Sequence, residues 1–130
     1  MANVPEDLRY SKTHEWVRAE GTMVVVGITD FAQGELSDIV MVESPQIGRE
    51  LNREEAMGVI EAVKAVSDMY SPISGKVVEV NTKLGTNPET INQDPYGEGW
   101  IVKLEMTDPG EVENLMDAAA YKEFLTAEGH

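Results

Sequence analysis

Apolar residues in this chain come in short runs, and turn residues break every one of them. Thr22-Met23-Val24-Val25-Val26-Gly27-Ile28, Ile39-Val40-Met41-Val42, Ala56-Met57-Gly58-Val59-Ile60 and Lys76-Val77-Val78-Glu79-Val80 are rich in β-branched residues. Gly21, Ser44-Pro45, Ser71-Pro72 and Ser74-Gly75 punctuate them. Runs of that length and composition read as strands. Many short strands with little helix between them argue for a sandwich or barrel. The chain has 130 residues, which suits one domain over residues 1–130. That length buries roughly two-thirds of the surface an unfolded chain exposes.

Local chemistry refines the pattern. Residues 16–28 predict a hairpin about Gly21. Asp30 is expected to cap a short helix, with Gln33 three positions on. Residues 49–55 are polar and are expected along the surface. Asn87-Pro88 and Asp108-Pro109 each pair a capping residue with a proline suited to a first helical turn. Residues 100–106 alternate as a half-buried strand does. The clearest helix lies at 117–127, where an Asp117 cap precedes three alanines and Tyr121, Phe124 and Leu125 share a face. Residues 1–7 are expected to be flexible. A faint echo links Ile28-Thr29-Asp30 with Met106-Thr107-Asp108, each ending a strand in Thr-Asp.

Composition excludes more than it assigns. Twenty-four acidic against ten basic residues give a net charge of −14. Nucleic acid and anionic membranes repel such a chain, whereas basic docking surfaces attract it. With no cysteine there is no disulfide, thiolate metal site or thiol nucleophile. No apolar run has the length of a membrane span. The opening Met1-Ala2-Asn3-Val4-Pro5-Glu6-Asp7 resembles neither a signal nor a transit peptide, so the expected home is the cytoplasm, or the mitochondrial matrix for a processed chain. His130 ends the chain and is expected to fray. His14 sits beside Glu15, but adjacent strand residues face opposite sides, so a structural histidine is the expectation. Glu54-Glu55 has no calcium-loop spacing, and Gly97-Glu98-Gly99 is no phosphate loop. The seven methionines are scattered as core filling. Nothing in this inventory assembles an active site. That points to a carrier rather than an enzyme, with no metal.

One stretch stands out. Glu61-Ala62-Val63-Lys64-Ala65-Val66-Ser67-Asp68-Met69-Tyr70 places a single lysine between two apolar strand-like runs. A lysine at a hairpin turn is held into water, where another protein reaches it. Exposed lysines are ordinarily solubilising, so the position alone assigns nothing.

Gly58-Val59-Ile60-Glu61-Ala62-Val63-Lys64-Ala65-Val66-Ser67-Asp68, followed by residues 70–81, closely resembles the lipoyl-lysine segment of the glycine cleavage system H protein family. Arg9–Val17, Val26–Gln33, Asp38–Glu43 and Asn92–Trp100 resemble further family blocks in the same order. The resemblance runs from about Leu8 to Leu125. Biotinyl domains usually flank their lysine with methionines, and 2-oxoacid dehydrogenase lipoyl domains usually have Asp-Lys-Ala, where this chain has Val63-Lys64-Ala65.

The resemblance implies a mainly β fold, a barrel-sandwich hybrid of two antiparallel sheets with the lysine hairpin at one end, short helices and a C-terminal helix. It implies one lipoate joined covalently to Lys64. The lipoyl arm would take an aminomethyl group from glycine at a pyridoxal-phosphate glycine decarboxylase. It would pass it to an aminomethyltransferase that uses tetrahydrofolate, and dihydrolipoyl dehydrogenase would then reoxidise the dithiol using FAD and NAD. A lipoate-attaching enzyme would load Lys64, and the free carrier would be a monomer. Thr13, Glu15 and Asp68 are the positions implied to line a cleft that shields the loaded arm. Ala62 stands where the family often has serine, and Ser44 and Gln46 replace more typical apolar and acidic residues. A lipoyl carrier or lipoate relay serving another complex is the alternative, and an acidic module with unmodified Lys64 is a second.

Overall fold

The computed structural model describes residues 3–127. Strands β1 (Arg9–Tyr10), β2 (Glu15–Glu20) and β3 (Met23–Ile28) come first, with Gly21 at φ +67° in the turn between the last two. Helix α1 (Asp30–Leu36) follows. Strands β4 (Ile39–Glu43), β5 (Glu50–Leu51), β6 (Ala56–Ala62), β7 (Val66–Tyr70) and β8 (Gly75–Val80) then run in succession. A 3-10 turn at Thr82–Gly85 and the single-turn helix α2 (Thr90–Gln93) lead into β9 (Val102–Met106). A second 3-10 segment, Pro109–Asn114, precedes helix α3 (Ala118–Ala127).

The strands form two antiparallel sheets, as the sequence leads one to expect. The larger has the order β1-β2-β3-β9-β8-β5 and the smaller β4-β6-β7. The two strands that end in the Thr-Asp echo are neighbours in the large sheet, with Val24 opposite Leu104 and Val26 opposite Val102.

The run Val24-Val25-Val26 is apolar throughout because both faces of its sheet are covered. Val17, Val24, Val26 and Ile28 join a core with Ile60, Met69, Ile73 and Leu104. Trp16 and Val25 point the other way, into a second cluster with Val4, Leu8, Tyr10, Ala118 and Tyr121. That cluster seats α3, whose Tyr121 ring stacks on Tyr10 at 4.6 Å between centroids. Such stacking adds about 0.5–1.5 kcal/mol to the burial itself. Trp16 lies across Gly27, where a Cβ would come within 2.7 Å of the indole. The Trp16 Nε1–H donates to the Pro95 carbonyl at 2.9 Å.

Several local expectations shift. Residues 3–7 are docked rather than loose: Val4 is buried, the Tyr10 hydroxyl donates to the Pro5 carbonyl at 2.5 Å, and the Tyr96 hydroxyl to that of Asn3 at 2.6 Å. The cap of α1 is Thr29, not Asp30: the Thr29 hydroxyl accepts from the Ala32 N–H, while Asp30 holds the Gln33 amide. Asn87 lies in a turn, and α2 begins only at Thr90. Strand β9 starts at Val102, two residues late, because the Trp100 carbonyl is taken by Asn81 Nδ2. Asp108 and Asp117 do cap, accepting from the Gly110 and Ala120 N–H groups. Leu51, in the polar stretch 49–55, is buried. His130 lies outside the described residues.

Candidate functional site

Lys64 sits in a three-residue loop between β6 and β7. The Ala62 N–H donates to the Ala65 carbonyl at 2.7 Å and closes the loop. The Val63 N–H donates to the Asp38 carbonyl at 3.0 Å and ties the tip to the start of β4. Below the tip, Ile60, Ala62 and Met69 anchor the hairpin in the core. The Lys64 side chain is exposed and takes part in no ion pair among the described residues. Two backbone bonds thus hold the tip, while the Lys64 amine stands in solvent.

A second, contrasting site lies at the other end of β7. Glu15 is 1 % exposed. Its Oε1 accepts from the Ser11 hydroxyl at 2.6 Å and from the Thr13 hydroxyl. Its Oε2 accepts from the Tyr70 N–H at 3.3 Å. The Glu15 N–H in turn donates to the Ser11 hydroxyl oxygen at 3.0 Å. Burial dominates and pushes the carboxyl up to about 7, against the pull of the Ser11 and Thr13 hydroxyls and the Tyr70 amide. The group therefore changes charge near neutrality, and a cation brought beside it would hold it ionised. A cavity of about 280 Å3 opens here, lined in part by Ser11, Lys12, Thr13, Arg53 and Pro72.

Strand β7 joins the two sites. Four steps from Val66 to Tyr70 span about 13 Å at the usual strand rise. Among the described residues it is an edge strand, paired with β6 alone, and its free side faces Glu15.

The implied cleft residues are not equivalent. Thr13 and Glu15 are directly bonded. Asp68 is opposite Val59, exposed, and shares no hydrogen bond with either among the described residues. It opens onto a separate hollow of about 350 Å3, with Glu43, Pro45, Arg49 and Val59. The reason is that Glu15 meets β7 through a backbone group: the Tyr70 N–H lies in the sheet plane at the free edge, whereas the Asp68 side chain stands off the sheet face. Ser11, the strongest partner of Glu15, did not stand out in sequence. Its only signal is a Ser-x-Thr-x-Glu spacing at positions 11, 13 and 15.

His14, in the left-handed region at φ 70°, turns away from Glu15. Its Nδ1 lies 2.8 Å from the Tyr121 hydroxyl, which is also 2.8 Å from the Thr29 hydroxyl. This links α3 to the cap of α1 and makes His14 structural. Among the described residues no three His, Cys, Asp or Glu side chains gather to hold a metal ion, and no helix is long and apolar enough to cross a membrane.

Comparison with known proteins settles the family. The family model for the glycine cleavage H-protein matches residues 8–128. The chain belongs to the glycine cleavage H-protein family. A family member from Symbiobacterium thermophilum, a glycine cleavage system H protein, is 65 % identical over 129 residues, covering 99 % of this chain and all of that one. The H protein of Anaeromyxobacter sp. is 57 % identical over 122 residues, covering 94 % and 95 %. Among solved structures, the crystal structure of a glycine cleavage system H protein from Mycobacterium marinum superposes with a TM-score of 0.85 at 37 % identity, covering 98 % of this chain and all of that one. The family fold and the two-sheet architecture above agree.

Proposed function

We propose that this chain is the shuttle of the glycine cleavage system, carries one lipoate on Lys64, and is not itself an enzyme. The observation that carries this reading is one strand, β7, with an exposed lysine that joins no ion pair among the described residues at one end and a buried carboxyl at the other. No ion pair among the described residues must be broken to modify Lys64. Acylation joins Nζ to the acyl carbon as an amide, expels the activating group and a proton, and removes the lysine charge. When bound, lipoate supplies a disulfide that takes up the amine-bearing carbon from glycine and is left as a dithiol after delivery.

The chain's own residues supply the rest. The β6–β7 hairpin fixes the attachment point, so that only the arm moves and its effective concentration at each partner stays high. Glu15, oriented by Ser11 and Thr13, is the receptor for a cationic amine at the end of the arm. Burial there keeps water off the carried group. Asp68 adds negative charge along the exposed face between the two. The partners are glycine decarboxylase, aminomethyltransferase, dihydrolipoyl dehydrogenase and a lipoate-attaching enzyme, met in the cytoplasm. The net charge of −14 favours basic docking surfaces on them.

Intact mass with peptide mapping over residues 61–76, after incubation with lipoate and an attaching enzyme, tests the reading. One lipoyl increment on Lys64, absent in Lys64→Ala, is expected. An unmodified Lys64 would overturn the carrier assignment. The arm receptor is tested separately. Glu15→Ala should speed loss of the carried amine from loaded protein, and an unchanged rate would remove Glu15 from that role.

A further inference from the structure

Five large apolar side chains stand exposed among the described residues: Val40, Met41, Ile47, Val63 and Val66. All but Ile47 gather at the Lys64 end of the small sheet. The register puts them there. Met41 is opposite Glu61, and Glu61 is opposite Val66, so the three form one row across β4, β6 and β7. Directly opposed residues share a face, and Ile39 opposite Ala62 is the buried alternate row. Met41 and Val66 therefore lie on the outer face. The irregularity between Ile39 and Met41 turns Val40 outward as well. Val63 completes the group from the loop itself, 68 % exposed, and Val66 is 66 % exposed.

A single exposed valine needs no explanation, but a contiguous group does. Polar residues at these four positions would sacrifice no core packing. Around them the surface is acidic. Asp38 precedes β4, and the next outer row is Glu43, Val59 and Asp68. The lysine thus rises from an apolar collar with a negative surround.

We propose that Val40, Met41, Val63 and Val66 are the docking collar for the enzyme that acylates Lys64, a partner presenting an apolar recess with a basic rim around its acyl-transfer site. This rests on the lipoyl-carrier reading. The reach of the chemistry selects this partner from the others. To form the amide, the acyl carbon of a nucleotide-activated lipoate must come within about 3–3.5 Å of Nζ. Nζ loses a proton, the C–N bond forms, and the nucleotide leaves. The surface of that one enzyme must therefore close on the hairpin tip. Enzymes that act on the far end of a loaded arm work at an arm's length and have no need of the collar. Four side chains are also far short of the roughly 1,600 Å2 of a stable complex. That suits an encounter that must release the carrier, with the acidic surround steering approach.

The test uses the triple variant Met41→Gln, Val63→Thr, Val66→Thr, with Ile47→Thr as control. Ile47 is 64 % exposed but lies outside the collar, in the β4–β5 connection. With a lipoate-attaching enzyme, lipoate and ATP, the triple variant should lose about tenfold or more in kcat/KM for Lys64 acylation, read by mass, mainly through KM. Ile47→Thr should behave as wild type. Triple variant driven to full lipoylation by excess enzyme should then be turned over by dihydrolipoyl dehydrogenase at the wild-type rate. Unchanged circular dichroism and melting show that the variant folds, as expected for exposed sites. Acylation at the wild-type rate would overturn the collar while leaving the carrier reading intact. An equal loss in the dehydrogenase assay would also overturn it, since the collar would then serve every partner. Wild-type protein that is never acylated would remove the carrier reading, and the collar with it.

Discussion

Lys64 and Glu15 sit at opposite ends of β7 and are built on opposite principles. Around Lys64 two backbone hydrogen bonds, Ala62 N–H to the Ala65 carbonyl and Val63 N–H to that of Asp38, hold the tip, while the exposed side chain joins no ion pair among the described residues. Around Glu15 the side chain itself is held, by two hydroxyls and an amide, beneath the surface. The first arrangement keeps a nucleophile mobile over a fixed base. The second stores a carboxyl where its charge is expensive, so that a visiting cation is worth more there than in water. One strand, β7, sets the spacing between them.

That contrast is breakable in graded steps. The largest effect belongs to Lys64→Ala, which should abolish acylation and all transfer while changing stability by no more than about 0.5 kcal/mol. Chemical denaturation beside the mass assay checks it, and a marked loss of stability would mean the lysine is structural after all. Next is the charge on Glu15. A carboxyl raised from 4.5 to about 7 in the folded state keeps its proton where the unfolded chain has lost it. Folding stability through this group is therefore greatest below the unfolded value, falls as pH rises between 4.5 and 7, and is flat above. The difference across that window is about 3 kcal/mol at 1.36 kcal/mol per unit. Wild type should lose that much relative to Glu15→Gln between pH 4.5 and 7.5 in paired urea titrations. A constant difference would mean the carboxyl titrates normally.

The base of the hairpin comes third. A Cβ at Gly58 would lie 2.2 Å from the Glu43 carbonyl, between β4 and β6. Gly58→Ala should cost about 1–3 kcal/mol as the pairing shifts, with faster amide exchange in β4 and β6. Protection equal to wild type would show that the tip does not depend on that base. The smallest effect is expected from Ser11→Ala. Losing this donor to the carboxylate should move the Glu15 midpoint further upward, followed by carboxyl carbon NMR. An unmoved midpoint would leave Thr13 as the sole hydroxyl that matters.

Much of this was legible in the chain. Strand runs bounded by glycine and proline, the Asp108 and Asp117 caps and the position of Lys64 all depend on residues close in sequence, and those readings agree with the structure. The misplaced features depend on distant partners. Thr29 caps α1 rather than Asp30 while its hydroxyl also lies against Tyr121, 92 residues away. Residues 3–7 are ordered by contacts with Tyr96 and Asp30. Ser11 gains its meaning only when the turn after β1 folds its hydroxyl back onto Glu15. Asp68 and Glu15 belong to different sheets and share no hydrogen bond among the described residues, a placement that depends on how the two sheets pack rather than on nearby sequence.

The hydrogen bond from the Tyr70 N–H to Glu15 has a consequence beyond the arm. An edge strand is a template for another strand, of the same chain or a different one. β7 is such an edge, next to a tip that carries exposed valines. At Tyr70 an arriving strand would find the donor already occupied and a buried carboxyl in the lane it must follow. Glu15, through its bond to the Tyr70 N–H, thereby also blocks the growth of the sheet.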